Sequence, residues 1–225
     1  MHPVDYFLHD AAYQRRRKEG RPGWETSVAL RENLDLLEQV FHAPHFPKTG
    51  RLLELGCGAG DMSLWAAQRG FEVHGVDISS TAIQWAREKA AAQNLSAHFQ
   101  VGNVIDLSAF AADSFDVVLD GRCYHCIIGP DRAQLLREAR RVLKPGGIFH
   151  VATMCGTPSC EDYLKEFDSQ SRCLLHDGMA VRFLGLPAEI ENEIKTGGFR
   201  IINKRILPRR SDRELDLLLL DATKA

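Results

Sequence analysis

The sequence predicts an α/β fold: a mostly parallel sheet covered by helices on both faces, closed by an antiparallel edge. Three observations predict it. Between residues 51 and 154, short apolar runs alternate with helix-patterned stretches. A glycine-rich turn, GCGAGD, joins the first apolar run to the first of those helices. The last two apolar runs follow one another with no helix between them. Strand–helix alternation puts strands in parallel beneath helices on both faces. Two strands joined without a helix are most simply an antiparallel pair.

Composition sets the frame. The chain has 225 residues, 44% of them hydrophobic, which suits one domain with a substantial core. The net charge of −2 supplies no global field for nucleic acid or a membrane surface. The local basic runs, RRRK at 15–18 and KRILPRRSDR at 204–213, are interrupted and read as solvated faces. No window approaches the ~20 apolar residues needed to cross a bilayer. The opening MHPVDYFLHDAAYQRRRKEG lacks the apolar core of a secretion signal, so the six cysteines are expected to be reduced and the protein cytoplasmic.

The elements follow in order. Residues 1–46 carry a helical pattern in two pieces, broken by GRPG. In the second piece Val28, Leu30, Leu34, Leu37 and Phe41 recur at helical spacing. HAPHFPKTGR ends it with two prolines and a glycine. RLLEL and FEVHGVD are strands around a helix at 61–69. A second helix, 80–93, has Ser79, Ser80 or Thr81 to cap it. AHFQVG and SFDVVLD are strands. DRAQLLREARRVLKPGG is a helix stopped by Pro145 and Gly146, and GIFHVATM is a strand. After an irregular insert at 156–185 come a helix, PAEIENEIKTGGF, and the closing strands FRIINKRIL and RELDLLLLDA.

The chemistry is concentrated at the first turn. Gly56, Gly58 and Gly60 alternate, but Asp61 stands where a dinucleotide fingerprint requires its third glycine, and Glu54 precedes the turn. Acids on both sides repel a pyrophosphate and welcome a cation. Asp77 ends the next strand, about 20 residues on, where a carboxylate can hold both hydroxyls of a ribose. An adenosine that carries a cation and no phosphate meets both conditions, which describes S-adenosylmethionine.

LLELGCGAGDMSLWAAQRGFEVHGVDIS resembles the first two motifs of class I S-adenosylmethionine-dependent methyltransferases. FDVVLDGRCYHCI and RRVLKPGGIFHV resemble their later motifs, in order and spacing, so the resemblance covers residues 51–151. It implies a Rossmann-like sheet of seven strands with the last antiparallel, with S-adenosylmethionine as cofactor and S-adenosylhomocysteine as product. Glu54, Gly56, Cys57, Gly58 and Gly60 would cradle the methionine portion. Asp77 would hold the ribose, Ile78 would lie against the adenine, and Asn103 and Val104 would meet its edge. Many relatives have aspartate where Asn103 stands. Asp120, ending the fourth strand, would face the reacting centre. YQRRRKEGRPGWE is similar in layout to the segment that precedes the core in thiopurine and tellurite-resistance methyltransferases. This implies a helical lid at 1–46 over a catalytic domain at 47–225, with Tyr13 and Trp24 over cofactor and acceptor. A plain packing role for Trp24 is the alternative.

The acceptor is expected above the ends of the fourth and fifth strands. Asp120, Arg122, Cys123, Tyr124, His125, Cys126, Cys155 and Cys160 gather there. His125 or Tyr124, with Asp120, would orient an acceptor or take its proton, and Arg122 and Cys155 would line its pocket; His125 could instead cap a loop. No metal site is expected, since Cys123-x-x-Cys126 lacks a second pair. The insert would cap the substrate, offering Arg172, His176 and Arg182 to an acidic group, or would merely cover the sheet edge. Its modest size points to a small-molecule acceptor, with no nucleic-acid or membrane partner and a monomeric or homodimeric state. Three other functions stay open: chemistry on the methionine arm that releases methylthioadenosine, methylation of a metalloid held by cysteines, and cofactor binding without catalysis.

Overall fold

The computed structural model describes residues 2–211 and 214–225. Seven strands form one sheet in the order β3-β2-β1-β4-β5-β10-β9. β1 (Gly50–Leu55), β2 (Phe71–Asp77), β3 (Ala97–Val101), β4 (Phe115–Asp120) and β5 (Leu143–Cys155) run parallel. β10 (Asp216–Lys224) lies antiparallel to both β5 and β9 (Phe199–Leu207). The expected sheet is thus present. The start of the closing strand at Arg213 and the end of the basic run at 212–213 lie outside the described residues.

Period-two alternation divides the core between the two faces. Leu52, Val73, Val117 and Ile148 pack with Leu37, Val40 and Phe41 of α2 (Ser27–Phe41) and Trp65 of α3 (Asp61–Ala67). Leu53, Val76, Val118 and Phe149 pack on the other face with α5 (Asp131–Val142) and α7 (Pro187–Thr196), through Leu135, Leu136, Ile190 and Ile194. α2 is therefore a layer of the core and not part of a lid; its Val28 faces outward, 70% exposed. Thr26 caps α2 and Ser79 caps α4 (Ser80–Ala92), each accepting a backbone N–H. α1 (Leu8–Lys18) packs on α4.

Two elements differ from the sequence reading. α5 stops at Val142, and β5 begins at Leu143, which pairs with Phe115. Pro145 has no N–H and Gly146 takes φ 78°, and the ladder slips between Phe115 and Val117. The insert, expected to be irregular, carries α6 (Glu161–Glu166) and a three-stranded antiparallel sheet of β6 (Phe167–Asp168), β7 (Cys173–His176) and β8 (Met179–Phe183). Asp177 and Gly178 both take positive φ, and His176 pairs with Met179, which is the two-residue turn that matches strand twist.

The order reverses between β1 and β4, so the glycine turn and the loop after β4 diverge from neighbouring strand ends and open a crevice. The insert and the amino terminus close over it. The Ala180 amide donates to Pro3 O at 2.9 Å, and Tyr6 Oη donates to Asp131 and accepts from the Ile128 amide. No helix among the described residues is long and apolar enough to cross a membrane.

Candidate active site

A cavity sits in the crevice, lined from β1, the glycine turn, the end of β2, the loops after β3 and β4, the start of the chain and β8. The turn supplies its floor. Gly56 and Gly58 have φ of 64° and 53°, the left-handed region that side chains disfavour. A Cβ at Gly56 would lie 2.6 Å from Cys123 Cβ, and one at Gly58 would lie 2.2 Å from Tyr13 Oη. Glycine is thus required twice, for conformation and for close approach. Gly60, also left-handed, does not line the cavity; it packs under Ala86 and Phe99.

Three acids stand at this end. Glu54, 2% exposed, accepts from Ser63 Oγ at 2.5 Å, and burial pushes its carboxyl up to about 8. Asp61 pairs with Lys89 at 2.5 Å. Asp77 accepts the Gly58 amide on one oxygen and the Ser79 amide on the other, both at 2.8 Å. Burial raises its carboxyl, partly offset by these two donors. The carboxylate thus fixes the turn and still faces the cavity, where each oxygen keeps a further lone pair. Ile78, Asn103 and Val104 line the same end, with Asn103 Oδ1 accepting the Ile105 amide at 3.2 Å. Cys57 lines the floor with its thiol turned to Gly58 O.

The amino-terminal segment covers the floor. Tyr13, 6% exposed, and Trp24 both line the cavity. Arg16 already stacks its guanidinium 3.7 Å from the Trp24 ring, with Tyr13 at 5.0 Å and His9 at 5.7 Å between ring centres. That ring therefore has a resident cation on one face. The segment is tied down by a residue the motifs did not flag. Asp10 accepts from Ser79 Oγ, Thr81 N and Thr81 Oγ1 at 2.7, 2.9 and 3.2 Å. Burial raises its carboxyl, but these donors outweigh that and hold it low. An acid on the first turn of α4 also meets the positive end of that helix.

Beyond the floor the structure corrects three assignments. Asp120 is fully buried and lines not this cavity but a smaller pocket beside it, with Leu119, His150 and Arg122. Its Oδ1 accepts the Cys123 and Tyr124 amides at 2.8 Å while Oδ2 has no partner, and burial pushes it up to about 7. It shapes the loop that carries Arg122 and His125. Tyr124 is also fully buried, in a 3-10 turn at Tyr124–Cys126. Its hydroxyl donates to Glu193 at 3.0 Å and Arg132 lies 4.0 Å over its ring. Cys155 turns to Asp216 O and packs in the core; its neighbour Met154 lines the cavity instead. Among the described residues no group of three or more His, Cys, Asp or Glu side chains is placed to hold a metal ion. Arg122 and His125 do line the cavity, joined by Tyr6, His9, Glu25, Asn33, Cys126 and Arg182. Replacement of Tyr124 by phenylalanine is expected to lower unfolding free energy by about 1 kcal/mol and to leave turnover within about threefold. A hundredfold loss of turnover would return the hydroxyl to the chemistry.

Comparison with known proteins agrees with this geometry. Residues 53–151 match the family described as a methyltransferase domain. The ribosomal RNA small subunit methyltransferase C of Alcanivorax borkumensis is 33% identical over 135 residues, 56% of this chain and 39% of that protein. The ubiquinone biosynthesis O-methyltransferase of Caulobacter vibrioides is 38% identical over 103 residues, 46% of this chain and 40% of that protein. The matched stretch thus spans about two fifths of each relative's length. An S-adenosylmethionine-dependent methyltransferase from Methanosarcina mazei superposes with a TM-score of 0.71 at 25% identity, over 80% of this chain and 94% of that one. With its strand order, left-handed glycine turn and acid at the end of β2, the chain has the fold of the S-adenosylmethionine-dependent methyltransferases, and its residues 53–151 carry the methyltransferase domain.

Proposed function

We propose that the protein transfers a methyl group from S-adenosylmethionine to a small-molecule acceptor. The observation that carries this is one cavity lined both by Glu54, Asp61 and Asp77 around the glycine turn and by Arg122, Arg182 and His125. The acids suit a ligand that is cationic at its amine and sulfonium. Glu54 faces the ammonium, Gly56 and Gly58 let the chain approach the methionine portion, Asp77 takes the ribose hydroxyls, and Ile78, Asn103 and Val104 surround the adenine. When bound, the cofactor supplies an electrophilic methyl: the acceptor's lone pair forms the new carbon bond while the carbon–sulfur pair leaves with sulfur, giving neutral S-adenosylhomocysteine. The protein's part is positioning and exclusion of water. Tyr13 and Trp24, pinned through Asp10, act as a lid, and the insert at 156–185 caps the acceptor. A cavity closed by both suits a small molecule better than a ribosomal RNA.

The test is mass spectrometry of the protein with S-adenosylmethionine, alone, with a panel of small acceptors, and with ribosomal RNA. S-adenosylhomocysteine formed only with particular small acceptors supports the proposal. Methylthioadenosine formed from the cofactor alone, or methylation of the RNA alone, overturns it.

Glu54 gives the site a pH signature. Its carboxyl, at about 8, is protonated at pH 6 and must ionise to accept an ammonium. Affinity for S-adenosylhomocysteine is therefore expected to rise roughly tenfold from pH 6 to pH 7, with close to one proton released on binding. Calorimetry in buffers of different ionisation heat measures both quantities, and a flat affinity with no proton release would remove Glu54 from the ammonium.

A further inference from the structure

The same cavity contains a cation without a counter-ion. Arg122 is committed: its Nη2 donates to Asn33 Oδ1 at 2.6 Å, and its Nη1 lies 3.9 Å from Glu25. Arg182, on β8, lines the same space, yet among the described residues no carboxylate pairs with it and no acceptor takes its hydrogens. The other three basic residues of the insert are engaged elsewhere, Lys165 by pairing with Glu161. Arg172 donates to Leu184 O and Gly156 O, and His176 stands exposed beside Asp177. A half-buried guanidinium with no partner is costly unless a ligand brings the negative charge.

His125 beside it is set as a donor. Its Nδ1 accepts the Met154 backbone N–H at 3.4 Å, and an accepting ring nitrogen carries no proton. Burial, with Arg182 the first of the charges acting on it, pushes the imidazolium form well below its usual range, so the ring is neutral. The single proton then sits on Nε2, which has no hydrogen-bond partner among the described residues. In this tautomer Nε2 can donate and cannot take a proton, so the ring is not arranged as a general base. An ammonium acceptor would meet one cation and one N–H donor, both repulsive. An oxyanion would satisfy both.

We infer that the acceptor is an organic oxyanion, a carboxylate or an ionised enol or phenol, held between the Arg182 guanidinium and the Nε2–H of His125. This rests on the methyltransferase reading and names the substrate class of the same site. The cavity is then complementary along its length, acids around the cationic cofactor and donors around an anionic acceptor.

The test is calorimetry on protein saturated with S-adenosylhomocysteine, using benzoate, 3-phenylpropanoate and hexanoate, each against its primary amide. At least one acid is expected to bind about tenfold more tightly than its amide. In Arg182→Gln that preference should fall below about threefold, and Arg182→Lys should restore part of it. Affinity for S-adenosylhomocysteine should be unchanged in both variants, which controls for folding. Amides that bind as well as acids, a preference that survives Arg182→Gln, or no acid bound up to about 10 mM would overturn the inference. If S-adenosylhomocysteine itself does not bind in the first titration, it is the methyltransferase reading that falls, and this one with it. If it binds while a neutral acceptor is methylated without any preference for acids, only the substrate class falls.

Discussion

Asp77→Ala is expected to weaken S-adenosylhomocysteine binding at least about 100-fold. A carboxylate that accepts two ribose hydroxyls contributes about 1.5–3 kcal/mol per charge-assisted bond, and about 3 kcal/mol is a factor of more than 100. The substitution also strips the Gly58 and Ser79 amides of their acceptor, and these two bonds hold the glycine turn against the end of β2. A 2′-deoxyribose analogue separates the two effects. If the ribose contact carries the loss, wild-type protein binds the analogue weakly and Asp77→Ala costs it little more. If bracing of the turn carries it, the substitution weakens both ligands equally. Tight binding of S-adenosylhomocysteine by Asp77→Ala would overturn the assignment.

That Asp77 was legible in the sequence, and Asp10 was not, has a physical basis. The acid of β2 stands at a fixed distance from a turn whose glycines are demanded by positive φ, so spacing along the chain encodes proximity. Asp10 reaches the first turn of α4 from about 70 residues away, and no local pattern announces a cap supplied by another element. The misplaced residues share a different cause. Cys155 and Met154 are neighbours on β5, where successive side chains take opposite faces, so placing a strand end at the site leaves open which of the two enters it. Tyr124 and His125 are adjacent in a 3-10 turn whose rotation is fixed by Asp120 beneath it, and that rotation sends the phenol to Glu193 and the imidazole to the cavity. The small sheet of the insert was legible after all. Asp177-Gly178 between two short apolar runs is the hairpin signal, and the brevity of the strands around it masked it.

The second large effect lies outside the cavity and concerns stability. Asp221→Ala is expected to lower unfolding free energy by about 3–5 kcal/mol, the cost of removing one partner from a buried polar cluster. In a chain of this length that lowers Tm by about 10 °C. Asp221, 3% exposed on β10, binds His150 of β5 at 2.7 Å, Asn203 of β9 at 2.9 Å and His45, which precedes β1, at 2.8 Å. One carboxylate thus ties together the three strands of the antiparallel edge and the segment entering the sheet. Burial pushes its carboxyl up, but the hydrogen bond and charge of His150, with Asn203 and His45, hold it at about 2. A carboxyl lower in the folded chain than in the unfolded chain stabilises above its unfolded value, near 4, and that contribution is lost as pH falls toward 2. Wild type should therefore lose about 2 kcal/mol between pH 4.5 and pH 2 through this group, and Asp221→Asn, which keeps the shape without the charge, should show a correspondingly shallower loss. Parallel acid profiles for the two proteins would mean that packing, not ionisation, holds the edge together. Affinity of Asp221→Asn for S-adenosylhomocysteine should stay within about threefold of wild type, because the cluster clamps the far side of β5 while the cofactor end of the cavity hangs on β1 and β2.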